Sequence, residues 1–332
     1  NSIGYIHIGG EIKKLLTILL LSFGFGTVIH VPDDYSTIQE GINAAMEGDT
    51  VLVAAGTYSP STNSEVFPIE MASGIHLIGS GEDVSIIDAQ QRDRVITMED
   101  CDNNTISDLT LTGGLADSYG GGMRLSNSNP ILTNVTIANN TANNGGGGMY
   151  LNNSNPTMTG VTFSGNTSDS KGGGIYLSSS SMNGNYLLVH NNYSEGHGGG
   201  IFISAGSNIS LNNSTIASNM TGEGDTFGAG IYADGGTATL INSIVYYNRR
   251  EGDYGINYNL NGYTMDILNE YTVSYSDIEG DANWIPVGEG NISIEPEVND
   301  FENGDFTLQA LSPCIDAGDP ASDHDLDGTV VD

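Results

Sequence analysis

Gly172-Gly173-Gly174-Ile175-Tyr176-Leu177 is the middle one of five related hexads. The others read Gly-Gly-Gly-Met-Arg-Leu from Gly120, Gly-Gly-Gly-Met-Tyr-Leu from Gly146, Gly-Gly-Gly-Ile-Phe-Ile from Gly198 and Gly-Ala-Gly-Ile-Tyr-Ala from Gly228. Met123, Met149, Ile175 and Ile201 follow one another at 26 residues, and Ile231 comes 30 later. A second column keeps the same ruler without the glycines. Leu111, Ile137, Phe163, Val189, Ile216 and Val245 are separated by 26, 26, 26, 27 and 29, and Asn140, Asn166, Asn192, Asn219 and Asn248 stand three residues after its last five members. A period of this size marks a chain of stacked, near-identical units.

Within each unit the apolar residues alternate, as in Ile175-Tyr176-Leu177 and Val161-Thr162-Phe163, between stretches of Gly, Asn, Ser and Pro. That is the pattern of short strands and turns, and no helical period survives between residues 75 and 250. Two or three strands in 26 residues leave no room for crossover helices. The expected fold is all-β, a right-handed parallel β-helix. Alternation turns the anchors and the residues two beyond them (Leu125, Leu151, Leu177, Ile203, Ala233) inward. The glycines suit positive φ or close backbone approach. The asparagines suit turns in which the amide bonds its own backbone, tolerates αL and pairs with the next coil in a ladder.

A solenoid exposes its ends, so caps are required. Ser36-Thr37-Ile38-Gln39 resembles a capping box, and Ile38, Ile42 and Ala45 to Met46 share a helical face that stops at Gly48. An amphipathic capping helix over residues 36–47 is expected, with strands beginning at Val51. The segments Val31 to Gln39, Gly48 to Val53 and Gly56-Thr57-Tyr58, with the Gly-Gly-Gly-Ile-Tyr coils, resemble secreted bacterial β-helix proteins of the pectin-lyase-like superfamily. The coils look like polymorphic outer membrane protein repeats, and Ser312 to Pro320 is similar to the segment closing many such proteins. The resemblance covers residues 28–332 and implies the fold, but that superfamily holds lyases, hydrolases, adhesins and proteins without known activity.

Lys13-Lys14 followed by the apolar run Leu15 to Phe25 reads as a signal peptide, too short for a membrane-spanning helix. Secretion or display at the bacterial cell surface, without a transmembrane helix and as a monomer, is the expectation. No methionine precedes Met46, and the stop at Asp332 points to an anchor or sorting domain beyond it. The expected organisation is upstream residues and signal peptide over 1–26, N-terminal cap over 27–58, coils over 59–250, and an irregular last coil with a closing segment over 251–332. Cys101 and Cys314 lie five or more coils apart, more than about 20 Å at ~4.8 Å per coil. A disulfide needs Cα atoms within about 7 Å, so they are expected to stay unpaired. With 8 basic against 41 acidic residues the net charge is −33, which excludes nucleic acid as a partner. It also repels polyuronates and sulfated glycans unless cations bridge them.

Using the anchors as a ruler exposes three outward columns. One residue after them stand Arg124, Tyr150, Tyr176, Phe202 and Tyr232, an aromatic stripe on which an extracellular polysaccharide or cell-surface glycan can pack; the other reading is a ladder that stabilises the sheet. Six residues before stand Asp117, Asn143, Asp169, Glu195 and Asp225, of which the last three could hold Ca²⁺ or form a solvated acidic turn. Four residues before stand Tyr119, Gly145, Lys171, His197 and Phe227. Lys171 and His197 flank Asp169 and Glu195 and form the one candidate catalytic patch. Asp323-His324-Asp325-Leu326-Asp327-Gly328 resembles the start of an EF-hand loop, giving a second Ca²⁺ candidate at Asp323, Asp325 and Asp327.

Gly196-His197-Gly198 is similar to the Gly-His-Gly motif of polygalacturonases, but their Asp-Asp, Asn-Thr-Asp and Arg-Ile-Lys partners are missing here. Inverting hydrolysis needs an acid and a base at a set separation, which a bare histidine does not supply. A pectate-type lyase needs a basic residue and a Ca²⁺-neutralised uronate, for which Lys171 is the best placed cation. Glycan binding or adhesion is therefore the first functional expectation. A Ca²⁺-dependent polysaccharide lyase is the second, a glycoside hydrolase a more distant one, and a plain structural stalk the third.

Overall fold

The structure, a computed structural model, describes residues 26–224, 226–252, 270–279, 288–301 and 304–322. The repeat becomes a parallel β-solenoid whose coils stack in the register the sequence sets: Met123 pairs with Met149, Met149 with Ile175, Ile175 with Ile201 and Ile201 with Ile231. A typical coil has four strand segments. Met149–Asn152 lies in a seven-stranded sheet, Thr157–Thr159 and Thr162–Ser164 form two limbs of a larger folded sheet, and Thr167–Ser168 belongs to a six-stranded sheet. Anchors, second-column residues and the positions two beyond the anchors all face one continuous core.

Each corner of a coil is made by a left-handed residue, and the residue after it turns inward. Asn127, Asn139, Asn153, Gly165 and Asn191 adopt positive φ and precede Ser128, Asn140, Ser154, Asn166 and Asn192. These second members are buried and make ladders. The Asn166 amide donates to Ile137 O at 2.8 Å and to Asn192 Oδ1 at 2.9 Å, while its own Oδ1 accepts from the backbone and amide of Asn140 at 3.1 and 3.0 Å. The ladder was expected, but not its address: the amides bond neighbouring coils rather than their own backbone, and αL belongs to the preceding residue. A serine ladder runs parallel to it, from Cys101 N to Ser128 Oγ at 3.0 Å, Ser128 N to Ser154 Oγ at 3.0 Å and Ser154 N to Ser180 Oγ at 3.0 Å.

Each glycine of the triplet answers a separate demand, and only the third meets the asparagine ladder. Gly172 sits at φ 64, which an L side chain strains to adopt. A Cβ on Gly173 would lie 2.4 Å from two carbonyl oxygens, and one on Gly174 would lie 2.7 Å from Gly200 O and 3.2 Å from the Asn192 amide. The triplet thus turns the chain and lets the seven-stranded sheet close against the ladder.

Helix α1, Ile38–Ala44, covers the core through Ile38, Gly41 and Ile42. It is shorter than residues 36–47, its capping box joins Thr37 to Glu40 rather than Ser36 to Gln39, and Met46 is 76 % exposed, off the covering face. Glu65, from the following coil, accepts from Ile38 N at 2.7 Å and Gln39 N at 3.1 Å and completes the helix start. The solenoid begins inside the stretch assigned to the cap, because Val28–Val31 already pairs with Thr50–Val53. At the far end the Tyr271 hydroxyl donates to Ile231 O at 3.2 Å and accepts from Ala233 N at 3.1 Å on the last described strand of the seven-stranded sheet. The antiparallel pair Val298–Asp300 and Asp305–Leu308 folds back on Tyr246, Tyr247 and His190. Cys101 and Cys314 are buried and form no disulfide with each other. The candidate signal peptide lies outside the described residues, and among those described no helix is long and apolar enough to cross a membrane.

Removing one ladder amide leaves a carbonyl and an amide N–H buried without partners, each costing about 1–3 kcal/mol. Asn166→Ala is therefore expected to lower stability in urea titration by about 3 kcal/mol. Asn152→Ala, on the water-facing side of its strand, is expected to change it little.

Candidate functional site

Period-2 alternation puts Arg124, Tyr150, Tyr176, Phe202 and Tyr232 side by side on the outer face of the seven-stranded sheet, in consecutive register. The column four residues before the anchors interleaves with it. Tyr119 stacks on Tyr150 with centroids 4.5 Å apart and planes at 23°. Tyr150 meets Tyr176 at 5.3 Å and 65°, and Tyr176 meets Phe202 at 5.0 Å and 80°. Tyr232 stacks on His197 at 4.5 Å and 13°, and His197 on Phe227 at 5.8 Å and 7°. The column is therefore a mixed edge-and-face interlock rather than a flat stripe.

Exposure divides its members. Phe202 is 0 % exposed, with Lys171 Nζ 4.6 Å above its ring, so it supports the column from below and cannot touch a ligand. Tyr119, Tyr150, Tyr176, Tyr232, Lys171 and Arg124 are half-buried, each with an edge in water. Burial, then the neighbouring Tyr150, pushes the Tyr176 hydroxyl above its ordinary value. Burial likewise raises the Tyr232 hydroxyl, so these two phenols are neutral donors at physiological pH.

Lys171 and His197 lie on adjacent coils, and the polar atoms of both are engaged. Phe227 N donates to His197 Nδ1 at 3.0 Å. The neutral ring therefore carries its proton on Nε2 and offers a donor, not a base. Burial first, then the charge of Lys171, holds the His197 pKa below its ordinary value. Asp169 and Glu195 are exposed on their turns. Glu195 Oε2 accepts from Tyr193 at 2.6 Å, and the same hydroxyl lies 3.1 Å from Glu251 Oε2. Burial followed by these two carboxylates raises the Tyr193 pKa strongly. Among the described residues no three His, Cys, Asp or Glu side chains gather as a metal site. Asp225, Asp323, Asp325 and Asp327, the other calcium candidates, lie outside the described residues.

Sequence reading missed two features. Arg94, two residues before the anchor Ile96, occupies the middle-glycine column and binds the carbonyls of Gly120 and Tyr119 at 2.6 and 2.7 Å. Extending the anchor column one coil upstream would have found it. The second is a small, half-open recess where the closing segment meets the last described coil, lined by Asn242, Ser276, Asp277, Gly290 and Cys314. Asp277 is 3 % exposed, accepts from Ile294 N at 3.1 Å and Cys314 Sγ at 3.3 Å, and burial pushes its pKa up to about 6. No periodicity predicts this meeting, which joins residues 37 apart across an irregular segment.

These shifts have opposite signs. Burial also holds His190 low. The unfolded chain therefore takes up protons before the folded one as pH falls below about 6.5, and stability drops on the acid side. The fall in melting temperature between about pH 7.5 and 5 is expected to shrink in His197→Gln. Asp277 instead holds its proton longer when folded, so its contribution is intact below about pH 4 and is lost as pH rises through about 6. Asp277→Asn is expected to raise the melting temperature at neutral pH and hardly at pH 4.

A family described as "Right handed beta helix region" matches residues 73–269. A pectate lyase, Pel9A, superposes with a TM-score of 0.52 at 12% identity, covering 93% of this chain and 97% of its own. Pectin methylesterase PemA from Erwinia chrysanthemi gives a TM-score of 0.46 at 11% identity, covering 86% and 99%. At 12% identity the likeness to Pel9A speaks for the fold alone. No curated protein matches the chain. The solenoid, its continuous stacking and the family match over residues 73–269 lead to one assignment: the chain belongs to the right-handed parallel β-helix family.

Proposed function

We propose that this chain is a secreted or cell-surface β-helix that binds polysaccharide along the outer face of its seven-stranded sheet. The observation that carries this reading is the unbroken aromatic column from Tyr119 to Tyr232, with phenol edges and one stacked pair open to water. Sugar rings pack their C–H faces on such surfaces while their hydroxyls meet phenol and amide groups. Asn152 and Ser178, on the same strands and the same outward side, supply those polar groups. Binding is favoured over lyase or hydrolase chemistry by the state of His197, whose lone pair is already occupied, and by Lys171, whose ammonium rests on Phe202.

The roles of the aromatics separate by exposure. Tyr150→Ala is expected to weaken retention on immobilised glycans about tenfold with the fold intact by circular dichroism. Phe202→Ala is expected to lower stability by about 3–5 kcal/mol through the cavity it leaves. Tyr150→Ala retaining glycan as the parent does would defeat the reading. Release of unsaturated product from polyuronates with added Ca²⁺, followed by ultraviolet absorbance, would replace it with the lyase.

A further inference from the structure

We infer that the outer face of the limb carrying Thr157–Thr159 is an ice-binding plane, separate from the aromatic column on the seven-stranded sheet. Strict register places two outward columns side by side on this limb. One runs from Ile131 through Thr157, Asn183, Ser210 and Thr239 to Thr272, and the other, two residues further along each strand, from Thr133 to Ser274. Over six coils they hold twelve side chains: five threonines, three asparagines, two serines and two isoleucines. None is charged, although the chain has 41 acidic and 8 basic residues. All twelve keep contact with water, and Thr157, Thr159, Asn183 and Thr272 are exposed.

Both borders of this plane are clamped at one coil spacing. Before the strands, Ser154 N donates to Ser180 Oγ at 3.0 Å and Ser180 N to Ser207 Oγ at 3.1 Å. After them, Ser214 N donates to Ser243 Oγ at 3.3 Å and Ser243 N to Ser276 Oγ at 3.1 Å. Side-chain ladders of this kind counter the twist of a many-stranded sheet. The outward side chains therefore repeat at about 4.8 Å from coil to coil and about 6.6 Å along each strand. That rectangular net lies close to the repeat of oxygen atoms on the prism face of hexagonal ice. Hydroxyl and amide groups on the net hold a first water layer by hydrogen bonds, while the methyl groups of threonine and isoleucine between them offer that water no competing partner. A charged side chain would keep its own hydration shell and break the net. Sugars are disfavoured here, because the two columns carry no ring on which to stack. A second copy of the chain is disfavoured too, since ten of the twelve side chains are polar and the centre of a stable interface is apolar. An ordered, uncharged array of water is the ligand that matches spacing and charge together.

Thermal hysteresis of the full chain, the gap between the melting and freezing of a single ice crystal in a nanolitre osmometer, tests this together with uptake into a growing ice hemisphere. The parent is expected to open a gap, to facet the crystal and to enter the ice. Thr157→Lys and, on the next coil, Asn183→Lys each place a charge within the net at an exposed position. Each is expected to abolish the gap while keeping the circular dichroism of the parent. Met220→Lys, which adds the same charge at an exposed position on the six-stranded sheet, is expected to leave the gap unchanged. A parent with neither gap nor uptake overturns the inference, as does a gap that survives both lysines in folded protein. A parent without a gap that sediments as a dimer, dissociated by Thr157→Lys, would assign the face to a second copy. Adsorption to microcrystalline cellulose without a gap, lost in Thr157→Lys, would assign it to a neutral polysaccharide, and either result overturns the ice assignment. Glycan retention through Tyr150 is read on a different sheet, so that reading stands or falls separately.

Discussion

The hydrogen bond between asparagine side chains of successive coils, 2.9–3.0 Å from Asn140 to Asn248, is the interaction on which the rest of the solenoid depends. A corner turned inside a core carries backbone N–H and C=O groups that no strand can pair, and water cannot reach them. An inward amide satisfies both, donating to a carbonyl and accepting from an N–H of the preceding coil, as Asn166 does with Ile137 O and Asn140 N. Because it must reach a neighbour at one coil spacing, it fixes the axial register. Because it fills the corner, the adjoining strand must have glycine beside it. The third glycine of the triplet, the corner residues in αL and the buried serines are answers to the same demand at different corners.

Register then decides the outer face. When anchors stack within the core, the residues beside them stack outside, so a tyrosine in one coil is necessarily beside the next coil's tyrosine. Coil spacing brings their rings into contact, and the second column, four residues upstream, fills the gaps. Interlock costs flatness, however. Phe202 is enclosed by its neighbours, Lys171 turns its ammonium onto that ring, and His197 becomes a plate between Tyr232 and Phe227. The same packing engages His197 through its Nδ1 and Lys171 through its ammonium.

At the ends the repeat supplies no neighbour, and side chains stand in for it. Glu65 closes the first turn of α1 across one coil, and the Tyr271 hydroxyl supplies a donor and an acceptor to the edge of Ile231–Asp234. The closing segment is held differently, by a buried carboxyl at Asp277 and by aromatic contacts of Phe301 and Phe306. Its stability therefore follows pH through Asp277, and through His190, on which Phe306 packs.

The sequence by itself determined the solenoid, its register, the inward and outward columns and the ladder of asparagines, because all of these follow from a 26-residue period acting on a period-2 strand. Ser128 and Ser154, in repeated Asn-Ser-Asn-Pro, were legible by the same means and follow the same corner rule. Tertiary structure alone decided which column members keep water. Phe202 and Tyr232 are equivalent by register, yet the first is enclosed because a lysine from the preceding coil and rings on both sides close over it. It also decided the tautomer of His197, set by a backbone N–H thirty residues away. The same holds for the Asp277–Cys314 contact. A period states which residues are neighbours; the direction and length of their side chains settle what those neighbours do to one another.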